Sequence, residues 1–344
     1  MFVSNCLVRI SCMKFATLAC SSSELRLALT LCCGQSFRWQ ETGPSEWTGV
    51  AKGRLITLQQ EEETAIQYHV HNSTDSTKDE VFIKDYFRLD ENLGVLCKEW
   101  SERDKNFARK VESFSGIRIL RQDPVETLFA FICSSNNNIT RISGMVEKLC
   151  ITYGQKLGNY KEKDYYSFPP IEALTSEGVE QTLRSLGFGY RAGYIHKTAK
   201  LIANERPKGW LESLQSLPYS DAHSSLLELC GVGAKVADCI CLMGLDKLEA
   251  VPVDTHVWQI AVRDYGLKSI LKGKTMTSKA YQQVGDHFRQ IFGPYAGWAH
   301  SILFSADLKK FQHILSETKQ PVAVKRTTSA NGDSDVECKI QKIS

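Results

Sequence analysis

Near the start of the chain, short apolar segments alternate with turn residues. Ser36–Trp39, Trp47–Val50, Leu55–Leu58 and Ala65–Val70 are separated by Gly43-Pro44-Ser45, by Gly53 and by the acidic run Glu61–Glu63. Runs punctuated in this way predict the strands of an antiparallel sheet. After Asp79 the spacing becomes helical, with Val81, Phe82, Tyr86 and Phe87 assigned to one face. At Asp123 a helix start is predicted. Asp123 stands at the N-cap, Pro124 in the first turn and Glu126 where a capping box would use it, ahead of apolar Val125, Leu128, Phe129 and Ile132. From there to about Leu308 the pattern is helix and short turn, without an internal repeat. The fold class read from this is α+β: an antiparallel β-rich N-terminal domain over residues 24–120, then a larger all-helical domain over 121–313. Residues 1–23 are set apart as a leader. Residues 314–344 form a polar tail expected to be disordered.

Composition changes this picture little. The 344 residues are 42% hydrophobic and 24% charged, ordinary for a globular protein, and the net charge of +3 requires any basic footprint to be local. One stretch supplies it: Arg184, Arg191, Lys197, Lys200, Arg206 and Lys208 stand against the single acid Glu205. Such a cluster can neutralise phosphates, and it is also what a solvated helix face looks like. The 12 cysteines contain no C-x-x-C pair, so zinc-site spacing is missing and they read as reduced thiols of an intracellular protein. No metal or other cofactor is expected. No uncharged apolar run reaches transmembrane length, so no membrane partner is expected, and the chain is taken as a monomer. The leader holds Arg9 and Lys14 and no acid before Glu24, which suits a mitochondrial presequence and a disordered segment alike. Lys325-Arg326 is a minimal nuclear-import signal. The expected compartments are the nucleus and also the mitochondrion.

The stretch richest in chemistry is Leu226 to Cys239, where a helix ends in the turn Cys230-Gly231-Val232-Gly233 and a second helix begins at once. Two glycines permit positive backbone angles and a tight reversal. The N–H groups at the start of the second helix then form an uncharged cradle for a phosphate, so Gly231, Val232 and Gly233 are candidate DNA-backbone contacts. Gly-x-Gly alone would mark an ordinary helical hairpin with packed glycines. Lys235, two residues past Gly233, and Asp254, nineteen further on at the predicted N-cap of a helix through Val257 and Ile260, add to it. A neutral amine is the nucleophile a Schiff base needs. The helix start favours loss of the lysine proton and a nearby carboxylate favours its retention, so the two oppose.

Five strings resemble a known family: Gly34-Gln35-Ser36-Phe37-Arg38-Trp39, Phe131 to Asn138, Lys235 to Met243, Val251-Pro252-Val253-Asp254, and Gly293-Pro294-Tyr295-Ala296-Gly297-Trp298. Their order and content, over roughly residues 24–310, resemble the eukaryotic 8-oxoguanine DNA glycosylases, within the helix-hairpin-helix, Gly/Pro-rich loop and Asp superfamily. The resemblance implies a bifunctional enzyme of base excision repair acting on double-stranded DNA with oxidised guanine opposite cytosine. By this resemblance Lys235 attacks the sugar of the flipped nucleotide, and β-elimination nicks the strand on the 3′ side. Asp254 assists the sugar cation. Phe304 and Cys239 sandwich the base, Pro252 lines the site, and the Gly34 carbonyl accepts the hydrogen that oxidation places on N7. Asn136, Arg141 and Arg191 hold the orphaned cytosine, Tyr190 wedges into the stack, and His256 contacts phosphate. Without the resemblance, Phe304 and Cys239 would read as core, and Asn137 and Asn138 as cap or turn residues.

Two positions depart from the family pattern. His300 replaces a glutamine that would meet the purine pairing edge, which suggests weaker or pH-sensitive recognition. Cys230 replaces the hairpin proline, a change expected to leave DNA binding intact. Relatives that carry an iron–sulfur cluster hold it with closely spaced C-terminal cysteines, whereas only Cys338 follows Asp254 here. A damage-binding module without catalysis would need neither Lys235 nor Asp254.

Overall fold

The computed structural model describes residues 13–269 and 276–317. The first part of the leader, most of the tail with Lys325-Arg326, and Cys338 lie outside the described residues. Strands β1 (Ala16–Ala19), β2 (Gln40–Gly43), β3 (Glu46–Ala51), β4 (Arg54–Gln59) and β5 (Ala65–Val70) form an antiparallel sheet in the order β1-β5-β4-β3-β2. The β3–β4 reversal is a two-residue turn with Lys52 (φ 46°) and Gly53 (φ 75°) both left-handed, the geometry that matches strand twist. Strand β5 alternates, burying Ile66, Tyr68 and Val70, whereas β3 is buried along its whole length.

Several sequence expectations need correction. Ser36–Trp39 is not a strand; the strand starts at Gln40. The segment's polar groups are committed elsewhere. Gln35 Nε2 donates to the Arg118 carbonyl at 2.7 Å, Gln122 Nε2 donates to the Gln35 carbonyl, and the buried Arg38 donates to the Tyr166 carbonyl. Conversely, β1 lies within the range set apart as a leader and pairs Leu18 with Ile66. On the helix Ser76–Tyr86, Val81 points outward at 63% exposure while Ile83 is fully buried, because two residues separate them by about 200° of helix. The Asp123 carboxylate caps Glu126 N–H at 2.9 Å, but Glu126 turns inward to Arg38, 3.3 Å away, and closes no capping box.

Among the described residues, the regular structure of the second part of the chain is helical except for a hairpin, β6 (Lys156–Tyr160) and β7 (Lys163–Tyr166). Its polar sequence gave no alternating signal. Tyr165 joins it to Val50 and Leu55 of the first sheet. Packing does not follow the division expected at residue 120. Cys33, Phe37, Trp100, Phe107 and Phe114 belong to the same large core as the helical part, which brings residues 33–35 against the helices that carry Lys235 and His300.

Candidate active site

The helices Tyr219–Leu227 and Ala234–Gly244 form the expected hairpin. Only Gly231 uses a positive φ, at 82°; Gly233 is extended with φ −98°. A Cβ on Gly231 would meet the Tyr194 ring at 2.6 Å, so closeness as well as conformation requires glycine there. Around Gly233 the space is open, and no side chain caps the helix that follows it. Val232 is buried, and its N–H donates to the Leu229 carbonyl at 3.2 Å.

Lys235 sits in the first turn of the second helix. Its Nζ lies 5.0 Å from the Phe131 ring centre and donates to Ser134 Oγ at 3.3 Å. Asp254 caps the helix Thr255–Asp264, accepting from the N–H groups of His256 and Val257 at 2.9 Å each. Both residues open onto one pocket. Gly34, Cys239, Pro252, His300 and Phe304 complete its wall, together with Phe131, Met243, Val257, Ser301 and Ser305. Gly34 has φ 87°, and a Cβ there would stand 2.9 Å from Ile139 Cδ1. Burial pushes the Cys239 thiol up to about 11, against the pull of Lys235, so it remains a thiol near neutrality. His300 and Phe304 are one turn apart on the helix Ala296–Asp307, and Phe304 also meets His256 edge-on at 5.9 Å.

His300 is 5% exposed and neither ring nitrogen makes a well-formed hydrogen bond. Burial lowers its pKa to about 4, against the smaller upward pull of Asp254. The ring is therefore neutral through the physiological range, and the pH sensitivity expected there moves into acid.

A second cluster lies at the loop from Ser134 to Asn138. Asn138 caps the helix Ile139–Tyr153, and Asn137 donates to the Cys133 carbonyl. Asn136 (φ 47°) and Arg141 are exposed. Tyr190, 44% exposed, donates to the Ser135 carbonyl at 3.1 Å. Arg191 is only 3% exposed. Its guanidinium binds the carbonyls of Ser135 and Asn136 and lies 4.6 Å from the Tyr190 ring. Its observed work is to hold the asparagine loop. The basic stretch is also less free than its composition suggests, since Arg184 pairs with Glu180 and Arg206 with Glu228. Lys197, Lys200 and Lys208 remain exposed.

Phe131 and Ser134 stand beside Lys235 although nothing in the local sequence separates them from the rest of the Phe131–Asn138 string. Met243 follows Cys239 by four residues and Val257 follows Asp254 by three, so helical spacing would have found both. A roomier cleft on the sheet side is lined by charges that are already paired, Arg118 with Glu24 and Arg121 with Asp85 and Asp90. Among the described residues no group of His, Cys, Asp and Glu could hold a metal ion.

Comparison with known proteins bears on this site. Residues 17–128 match the 8-oxoguanine DNA glycosylase N-terminal domain, and residues 129–286 match the HhH-GPD superfamily of base excision DNA repair proteins. The chain is 39% identical over 313 residues to the N-glycosylase/DNA lyase OGG1 of Arabidopsis thaliana, covering 90% of this chain and 84% of that protein. It is 41% identical over 327 residues to the N-glycosylase/DNA lyase of Saccharomyces cerevisiae, covering 86% of each. Among solved structures, the Clostridium acetobutylicum 8-oxoguanine glycosylase/lyase bound to dsDNA with cytosine opposite 8-oxoG superposes with a TM-score of 0.71. It is 33% identical over 82% of this chain and 91% of that one.

Proposed function

The chain belongs to the 8-oxoguanine DNA glycosylase family of helix-hairpin-helix base excision repair enzymes, and on that premise we propose that Lys235 excises 8-oxoguanine opposite cytosine through a covalent imine. The observation that carries this reading is the convergence of Lys235, Asp254, Cys239, Pro252, His300, Phe304 and Gly34 on one pocket.

In this reading the damaged nucleotide leaves the stack, at a cost of a few kcal/mol, and its base enters between Cys239 and Phe304. The Gly34 carbonyl accepts the N7 hydrogen that normal guanine lacks. A mismatch there is worth roughly 1–3 kcal/mol. The Lys235 amine bonds to the anomeric carbon as the bond to the base breaks, and the Asp254 carboxylate stabilises the sugar cation. Ring opening gives the imine. Loss of a proton from the adjacent sugar carbon then expels the 3′ phosphate oxygen, and water releases the lysine. Asn136, on the loop held by Arg191, and Arg141, in the first turn of the helix that follows it, reach the orphaned cytosine, with Tyr190 in the vacated stack. The backbone of Gly231, Val232 and Gly233, with His256, grips phosphate.

Borohydride trapping tests the reading. A covalent adduct is expected with a duplex carrying 8-oxoguanine opposite cytosine, and none with a normal guanine duplex or with Lys235→Gln. Damage-selective binding without any adduct would replace the enzyme reading of Lys235 with that of a binding module.

A further inference from the structure

The helix that carries Lys235 also buries a carboxylate outside the pocket wall. Asp238 is 1% exposed, three residues after Lys235 and directly before Cys239. A buried carboxylate must be paired or strongly hydrogen-bonded. Here Oδ1 accepts from Tyr219 Oη at 2.6 Å and Oδ2 accepts from Tyr281 Oη, with His223 Nε2 3.7 Å from Oδ1.

The two phenols differ in what lies beyond them. Tyr219 belongs to the first helix of the same hairpin. Tyr281 comes from the helix Ser278–Phe292, and its oxygen also accepts the Val253 N–H at 3.3 Å. Burial and the Asp238 charge hold the Tyr281 phenol protonated, so its one hydrogen goes to the carboxylate and its lone pair stays available to Val253. Val253 is the residue before Asp254. One chain of hydrogen bonds therefore runs from the lysine helix through Asp238 and Tyr281 to the backbone beside Asp254.

We propose that Tyr281, anchored on Asp238, is a positioning residue that sets the Val253–Asp254 segment against the helix bearing Lys235. The proposal rests on the reading of Lys235 and Asp254 as the reacting pair. Displacing a reacting group by about 1 Å can cost on the order of 100-fold in rate, so loss of one such tether should be visible.

Tyr281→Phe and Tyr219→Phe, made in the full chain, separate this role from simple support of a buried charge. Each removes one hydroxyl from Asp238, but only Tyr281→Phe cuts the link to Val253. Four quantities are measured: unfolding midpoint, amide hydrogen exchange of the 250–256 segment, affinity for the 8-oxoguanine duplex, and the single-turnover rate of base loss from it. The expected result is a similar loss of stability in both variants. Faster exchange at 250–256 is expected only in Tyr281→Phe, with a rate about ten-fold lower and duplex affinity within two-fold of the unsubstituted chain. Equal exchange in the two variants would remove the tether. Faster exchange with an unchanged rate would remove the positioning role. Failure of the lysine reading shows separately, as base loss that persists in Lys235→Gln or is absent from the unsubstituted chain; the positioning role then falls with it.

Discussion

Packing against Phe288 and Phe304 keeps the His300 imidazole out of water and lowers its pKa from 6.5 to about 4. The unfolded chain binds a proton at this residue between those two values and the folded chain does not. The contribution to stability is therefore complete above pH 6.5 and is lost as the pH falls toward 4. The depression corresponds to about 3 kcal/mol at most. His300→Gln should flatten the acid limb of stability, read from urea midpoints at pH 4.5 and pH 7. An unchanged difference between those midpoints would count against a buried neutral imidazole. By the same reasoning, affinity for the damaged duplex should not vary through His300 between pH 6 and pH 8. Binding by the Lys235→Gln variant, compared with the same variant carrying His300→Gln, isolates that contribution.

The hairpin shows how two glycines in one turn do different work. Gly231 is left-handed and closely covered by Tyr194, so Gly231→Ala should destabilise the fold by ~2 kcal/mol or more, measured by denaturant unfolding. Gly233 is extended and faces open space. Gly233→Ala should leave the unfolding temperature within about 2 °C and still weaken duplex binding several-fold, because a methyl group would stand where a phosphate approaches. Equal affinity in Gly233→Ala and the unsubstituted chain would mean that the DNA backbone does not rest on this turn. The preceding helix-start at Asp123 is a local device of ordinary size. Asp123→Ala should cost about 1 kcal/mol, through the lost bond to Glu126 N–H.

Across the whole molecule, the strands pack in a core of their own, while the segments that flank the sheet join the helical core and are tied to the helices by charges as well. Arg88, with 2% side-chain exposure, pairs with Asp246, and Asp246 also receives Arg121 Nε at 3.3 Å. Both arginines precede the helix Pro124–Ile132, whereas Asp246 follows the helix that carries Lys235. Asp246→Ala would leave Arg88 buried without its carboxylate, at ~3 kcal/mol. Because Phe37, Trp100 and Phe107 share one core with the helical part, unfolding should be a single transition that shifts as a whole in this variant. Circular dichroism and tryptophan fluorescence should give coincident curves. Separated curves would show that the sheet unfolds independently of the helices.

The chain's local patterns determined where the helices at Asp123 and Asp254 start and where the hairpin before Lys235 turns. Asp123 and Asp254 are caps that act within three residues, and the hairpin before Lys235 is a turn within six, so neighbouring side chains suffice to read them. The strand alternation of β5 is equally local. What the tertiary structure decided depends on contacts between distant parts of the chain. Ser36–Trp39 has the pattern of a strand, yet Gln35 just before it and Arg38 within it bind residues more than eighty positions away and draw it out of the sheet. Arg191 reads as a free cation until the carbonyls of Ser135 and Asn136 arrive. Ser134 meets Lys235 across 101 residues, and Tyr281 meets Asp238 and Val253 through a helix that follows both. Spacing along a chain encodes faces and turns. Which faces meet is fixed only when burial leaves each polar group one partner it can reach.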